Sequence, residues 1–320
     1  MVKRKFSSDT DSPATSSVAS VQCCEDAKDD LGVKFRRINS ALGRLHEHVS
    51  PKFTSKEREQ FGIQNQYGGI TGTLTPSSLY RITTLLQGDV VPGAKFKRRF
   101  DDEECKLPWD FTLKAKESVF CDIGSGTGRP VFYLACADIK ASIGFDIDPM
   151  QVFNSRYGKE YLIKRNAPIN SPLGFFHANV QHIVSLFPVT HAFAFLGYPD
   201  IIDSTVHLVA TTSSIKVFIA IVLHEKELRE TGILEEDIDG KIIILPGVQM
   251  PGGNSYSAFL IPMTKRRCRI VAKKLKRKPI PKGARIIFKD ALDSCLIAEH
   301  EVEDTPVRTR QSARLSTLIK

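Results

Sequence analysis

The sequence has no long hydrophobic run. Its cysteines and histidines also lack the spacing found in disulfide-rich or metal-binding proteins. Its longest apolar run, Val217–Leu223, is far shorter than the roughly 18 residues of a spanning helix. No apolar stretch follows Met1, so we expect no secretory signal. The seven scattered cysteines include no C-x-x-C pair, and the eight histidines show no metal-ligand spacing. We therefore expect no membrane segment, no metal and a reducing compartment.

Charge is unevenly distributed along the chain. The 320 residues carry a net charge of +9, with 42% hydrophobic and 25% charged residues, as in a globular protein. Twelve Lys and Arg but no Asp or Glu lie between Thr264 and Lys289, and without them 33 cations would face 36 carboxylates. We expect Lys265–Lys289 to contact a polyanion such as nucleic acid. The alternatives are a solvated surface and, for Lys273–Pro279, a nuclear import signal.

Composition divides the chain into four regions. Residues 1–30 are rich in Ser, Thr and Asp and predict a disordered tail. Residues 31–116 predict an N-terminal helical region with a glycine-rich loop and a polar linker. In residues 117–263 strand patterns alternate with helix patterns, which indicates an α/β fold with a mostly parallel sheet covered by helices. Residues 264–320 form a basic C-terminal extension.

The regular part of the chain predicts seven strands. The predicted strands are Ser118–Ile123, Ala141–Phe145, Leu173–His177, Thr190–Phe195, Ile215–Leu223, Lys241–Leu245 and Ser255–Ile261, the last two as an antiparallel pair. A helix is expected from Pro149 to about Arg165, with Asp148 as its cap.

A glycine-rich turn follows the first predicted strand. Asp122 ends the strand, and Gly124, Ser125, Gly126, Thr127 and Gly128 lead into a helix. Glycines let the backbone approach a ligand closely, and a helix N-terminus favours negative groups. The G-x-G-x-G spacing is neither the dinucleotide G-x-G-x-x-G nor the Walker pattern.

This turn resembles the first motif of class I S-adenosylmethionine-dependent methyltransferases. The resemblance implies a seven-strand Rossmann-like sheet and S-adenosylmethionine as cofactor. It also implies that the turn wraps the methionine moiety and that Asp122 faces its ammonium group.

A second acid lies at the end of the next predicted strand. Asp146 follows Gly124 by 22 residues, and its two carboxylate oxygens can accept hydrogen bonds from two ribose hydroxyls. The same family places its ribose-binding acid there, and the nearby Asp148 is the alternative if it does not cap the following helix. Asn179, after the third strand, lies where the family reads the adenine edge; an ordinary turn residue is the alternative.

Three motifs resemble a narrower family, the disruptor-of-telomeric-silencing histone lysine methyltransferases. Tyr67-Gly68-Gly69 matches its Tyr-Gly-Glu loop, Gly124–Gly128 its Gly-Ser-Gly-x-Gly turn, and Ala192-Phe193-Ala194-Phe195 its Asn-Phe-Ala-Phe strand, over about Leu31 to Met263. The resemblance implies that the loop Tyr67–Thr71 folds over the cofactor and that Thr71 contacts it. Gly69 and Ala192 depart from the family's glutamate and asparagine.

A lysine acceptor must lose its proton before it is methylated, and apolar aromatic walls favour the neutral amine. The candidate walls are Tyr67, Phe193, Phe195 and Tyr198. The leading hypothesis is a nuclear methyltransferase of a histone lysine, with a nucleosome or histone as its partner. The alternatives are a methyltransferase of RNA or of another protein, and a binding module that has lost catalysis, which Gly69 and Ala192 motivate.

Overall fold

The computed structural model describes residues 30–43, 73–98, 104–197, 199–235, 241–250, 253–276, 279–280, 283–286, 288–290 and 292–293. The strands are β1 (Lys95–Phe96), β2 (Val119–Ile123), β3 (Ala141–Asp146), β4 (Leu173–His177), β5 (His191–Phe195), β6 (Val217–Val222), β7 (Ile243–Gln249) and β8 (Ser255–Pro262). The helices are α1 (30–43), α2 (Pro76–Leu86), α3 (Arg129–Leu134), α4 (Pro149–Lys164), α5 (Pro199–Thr211), α6 (Glu225–Glu230) and α7 (Lys265–Lys274).

All eight strands form one sheet in the order β1-β7-β8-β6-β5-β2-β3-β4. Strands β2 to β6 are mutually parallel, and β8 runs antiparallel between β6 and β7. The predicted fold class is confirmed, with the two-residue β1 added at one edge. Strand β6 is buried at all six positions, as expected for a parallel strand that is covered on both faces.

Two apolar cores lie on the two faces of the sheet. One joins α1, α2, α3 and α4 through residues such as Phe35, Ile82 and Phe132. The other joins α5 and α7 through Val206 and Val271. Because side chains alternate along a strand, Phe193 of β5 faces the first core, whereas Ala192 faces the second.

Most predicted elements are confirmed within about two residues of their ends. The predicted cap of α4 is confirmed as well, because Asp148 Oδ1 accepts a hydrogen bond of 2.8 Å from Met150 N. Thr75 caps α2 by accepting from Ser78 N at 3.3 Å. None of the described helices is long and apolar enough to cross a membrane.

Two segments outside the predicted sheet share its core. Between residues 87 and 116, Val91 and Leu107 are buried, and β1 pairs with β7. In the basic extension, Arg267 of α7 is fully buried, donating from Nε to Pro262 O at 3.0 Å and from its guanidinium to Ile233 O. At least one cation of the basic run is therefore packed inside the fold instead of exposed to solvent. The boundaries of the four regions remain predictions.

Candidate active site

The candidate site lies at the carboxyl edge of the sheet, where the parallel strands β2, β3 and β5 end. Gly124 N and Ser125 N both donate to Phe145 O at 2.9 Å, which fixes the glycine turn against β3. Gly128 has a φ of +79°, and a Cβ there would lie 2.5 Å from the Phe175 ring. A side chain at position 128 is thus excluded by both conformation and space.

Asp146 holds the turn from the neighbouring strand. Its Oδ2 accepts from Gly126 N and its Oδ1 from Asp148 N, both at 2.8 Å. Burial raises the pKa of Asp146, and these backbone hydrogen bonds oppose that shift. The backbone of Ile147 acts in the same direction, and a carboxylate has about four acceptor sites, so Asp146 can still accept from a ligand.

Asp122, at the end of β2, is 3% exposed. Burial raises the pKa of its carboxyl well above the usual range, and the charge of Asp146 adds to the shift. Among the residues that the structure describes, none donates a hydrogen bond to this carboxylate or pairs with it as a cation. Within the described residues, Asp122 is therefore a buried acid without a compensating charge.

A cleft opens beside Asp122. Its lining joins the glycine turn, the ends of β2 and β5, and the residues before α2. The lining residues are Thr73, Leu74, Asp122, Gly124, Ser125, Gly126, Thr127, Pro130, Phe193 and Phe195. The strand register sets Phe193 directly beside Asp122, and Phe195 packs edge-to-face against Tyr256 with ring centres 5.0 Å apart. The cleft thus joins one acid and polar backbone to an aromatic wall.

Only some of the predicted site residues lie together in the structure. Asp122, Gly124–Thr127, Phe193 and Phe195 line one cleft, with Asp146 behind the turn. Asn179 follows β4 and caps a short 3₁₀ helix, its Oδ1 accepting from Gln181 N at 2.9 Å. Tyr67, Gly69, Thr71 and Tyr198 lie outside the described residues.

Ala192 does not border the cleft. Its side chain is fully buried in the core on the other face of the sheet. The departure from the family's asparagine therefore leaves the lining of this cleft unchanged.

Several site residues were missed by the sequence analysis. Leu74 lies next to the predicted lid and lines the cleft, and the neighbouring Thr73 has a buried hydroxyl without a described partner. Ser155 Oγ donates to Gly126 O at 2.8 Å and ties α4 to the turn. Ser155 could have been predicted, because it is a polar residue on the buried face of α4. No local pattern predicts that Tyr256 packs against Phe195. The described residues contain no group of side chains that could hold a metal ion.

The chain matches no protein-family model and no curated protein. Among solved structures, it is similar to an rRNA methylase from Streptococcus thermophilus at 12% identity, covering 48% of this chain and 91% of that one, with a TM-score of 0.37. It is also similar to an RNA methyltransferase from Salinibacter ruber solved with S-adenosyl-L-homocysteine, at 18% identity, 47% and 84% coverage and a TM-score of 0.34. A third is a dimethyladenosine transferase from Plasmodium falciparum, at 16% identity, 48% and 58% coverage and a TM-score of 0.36. Likenesses this distant identify no substrate.

Proposed function

We propose that the protein is an S-adenosylmethionine-dependent methyltransferase that acts in the nucleus on a histone lysine of the nucleosome. The observation that carries the proposal is the buried Asp122, whose carboxyl pKa is raised by burial and by the charge of Asp146, at a glycine turn. A ligand that brings an ammonium group to Asp122 and hydroxyls to Asp146 would offset both desolvation and mutual repulsion.

The residues present suit this cofactor. Asp122 would hold the methionine ammonium group, and the backbone of Gly124–Gly128 would surround the methionine moiety. Asp146 would accept hydrogen bonds from the ribose, and Asn179 has amide hydrogens left to donate towards an adenine edge. When bound, the cofactor supplies an electrophilic methyl group on a sulfonium.

The aromatic wall would receive the acceptor. Leu74, Phe193 and Phe195 form an apolar side of the cleft, where desolvation lowers the pKa of a lysine amine and so favours its neutral form. The Phe195–Tyr256 ring pair restricts the movement of that wall. Alignment can supply about 7–11 kcal/mol in favourable cases, so no dedicated catalytic base is required.

The histone assignment rests on two further features. One is the resemblance of three motifs to those of the telomeric-silencing family, with departures at Gly69 and Ala192. The other is the outer face of α7, where Lys265, Arg266, Arg269 and Lys273 are exposed and can meet nucleosomal phosphates. These cations also suit an RNA substrate, so the experiment includes one.

The test is to incubate the full chain with radiolabelled S-adenosylmethionine and, in parallel, nucleosomes, free histones and bulk RNA. We expect label in histone within nucleosomes, and at least about 10-fold less with Asp122→Asn when the cofactor is below saturation. Label in RNA would establish the alternative enzyme. Calorimetric binding of the cofactor with no label in any arm would identify a binding module without catalysis.

A further inference from the structure

The turns at the amino edge of the sheet, where the parallel strands begin, form a connected row. Met263 N, just before α7, donates to Lys216 O at 2.7 Å, and Lys216 N donates to Thr190 O at 2.8 Å. Thr190 Oγ1 accepts from Val119 N at 2.9 Å, and Lys140 N donates to Ser118 O at 2.9 Å. The starts of α7, β6, β5, β2 and β3 therefore adjoin one another, at the end of the sheet away from the cleft.

This row carries an excess of cations. Its basic residues are Lys114, Lys116, Lys140, Lys216, Lys265 and Arg266, all exposed except the half-buried Lys114. Partial desolvation lowers the pKa of Lys114, and the nearby charge of Lys216 acts in the same direction. Asp110, Glu117 and Asp138 are the acids among these turns, so six cations face three carboxylates.

An exposed indole lies in the same row. Trp109 is 75% exposed, although burying such a side chain normally stabilises a fold. Lys114 Nζ lies 2.8 Å from the centre of its ring and also donates to Thr112 Oγ1 at 2.9 Å. With one face covered by a fixed lysine, a ring this exposed must present its other face to solvent. Phe187, 52% exposed and just before β5, adds a second ring at this edge.

We propose that this amino edge binds a single-stranded nucleic acid, with a base stacked on Trp109 and phosphates on the surrounding lysines. Sequence-independent binding of single strands combines a cationic track with aromatic rings on which bases stack. A duplex keeps the faces of its internal bases covered, so the exposed indole favours a single strand. The surface is distinct from the cleft, and the inference does not depend on methyl transfer.

The test uses the chain's single tryptophan, whose emission reports this surface alone. Labelled oligo-uridine and oligo-thymidine of about 12 nucleotides, within the site sizes of such grooves, would be titrated onto the full chain. We expect tryptophan quenching to saturate together with fluorescence anisotropy. Trp109→Ala should weaken binding by about 5–150-fold, and Trp109→Phe should retain part of the affinity.

Charge variants supply the matched control. Lys114→Gln with Lys216→Gln should reduce the log–log salt slope by about 0.7 for each phosphate of a single strand that is no longer neutralised. Lys226→Gln, an exposed lysine of α6 at the opposite edge, should change nothing. Binding without tryptophan quenching, full affinity in Trp109→Ala, a duplex bound as tightly as the single strand, or no binding at all would each overturn the proposal.

Discussion

The two ends of the same parallel strands differ in charge and in burial. Strand β2 begins beside Thr190 and Lys140, at an edge of exposed lysines with the exposed Trp109. It ends at Asp122, a buried carboxylate beside a second acid, Asp146, and a glycine turn. One edge is a concave site with a buried acid and a partly buried one, and the other is an open surface with exposed cations.

The direction of the chain accounts for part of this difference. Helix α4 begins next to Asp146 and ends at Lys164, with Arg165 as its C-cap. The positive N-terminal end of its dipole therefore lies near Asp146, and the negative C-terminal end lies near Lys164 and Arg165. Both arrangements are favourable. In a parallel sheet every connecting helix has the same polarity, so the fold itself biases which charge is stable at each edge.

The largest expected effect at the carboxyl edge is that of Asp146→Ala. We expect affinity for S-adenosylmethionine to fall at least about 100-fold, because two hydrogen bonds to a charged group are removed at about 1.5–3 kcal/mol each. Calorimetry measures the affinity, and thermal unfolding checks that the turn still folds without the bond to Gly126 N. Asp110→Ala, which removes an exposed acid at the amino edge, is the matched control. Unchanged affinity in Asp146→Ala would refute the ribose assignment.

The amino edge should make the fold sensitive to acid through His191. Burial lowers the pKa of His191 to about 4, and the charges of Lys216 and Lys114 act in the same direction. The folded state thus keeps the ring neutral while the unfolded chain binds a proton near pH 6.5. We expect up to roughly 3 kcal/mol of stability to be lost as pH falls from about 6.5 to about 4.

Denaturant unfolding across this pH range measures the effect, with His191→Gln as the variant that cannot titrate. The wild-type protein should lose stability more steeply than the variant as pH falls. Equal slopes for the two proteins would show that His191 does not cause the acid sensitivity.

The carboxyl edge should respond to pH in the opposite direction. Because the pKa of Asp122 is raised in the folded state, its contribution to the stability of the cofactor-free protein is present at low pH and is lost as pH rises through that pKa. Asp122→Asn should therefore raise the unfolding midpoint at neutral pH. It should also weaken cofactor binding about 10-fold or more, since a charge-assisted hydrogen bond is removed.

Thermal unfolding and calorimetry on the same sample test both halves of this expectation. Asp110→Asn, an exposed acid at the amino edge, is the control for the change in net charge. A variant that binds the cofactor normally, or that is less stable than the wild type, would contradict the assigned role of Asp122.

The smallest expected effect concerns the basic face of α7. Arg269→Gln with Lys273→Gln should reduce the log–log salt slope of nucleosome binding by about 0.9 for each DNA phosphate that the variant no longer neutralises. Cofactor affinity should not change, because α7 packs on the face of the sheet covered by α5, away from the cleft. Lys95→Gln with Lys226→Gln removes two cations elsewhere as the control. Normal nucleosome binding by the Arg269→Gln, Lys273→Gln variant would contradict the proposed contact of α7 with DNA.

Much of the sheet and part of the site could be predicted from the sequence because their signals are local. Five short apolar runs predicted the parallel strands, and the first four of them are each followed by a turn and a helix pattern. The acid–glycine pattern at Asp122–Gly128 and the cap at Asp148 depend on residues within a few positions of one another. The β1 pairing escaped prediction because two residues in a polar segment carry no periodic signal.

The sequence by itself determined where the five parallel strands begin and end to within about two residues, where the glycine turn lies and which acids stand at the strand ends. Only the tertiary structure decided that Tyr256 packs on Phe195, that Ser155 holds Gly126, and that Ala192 faces away from the cleft. It also decided that Arg267 is buried while its neighbours in α7 are exposed. The reason is that backbone periodicity and capping act over a few residues. Which side chains meet depends instead on strand register and packing between segments far apart in the chain.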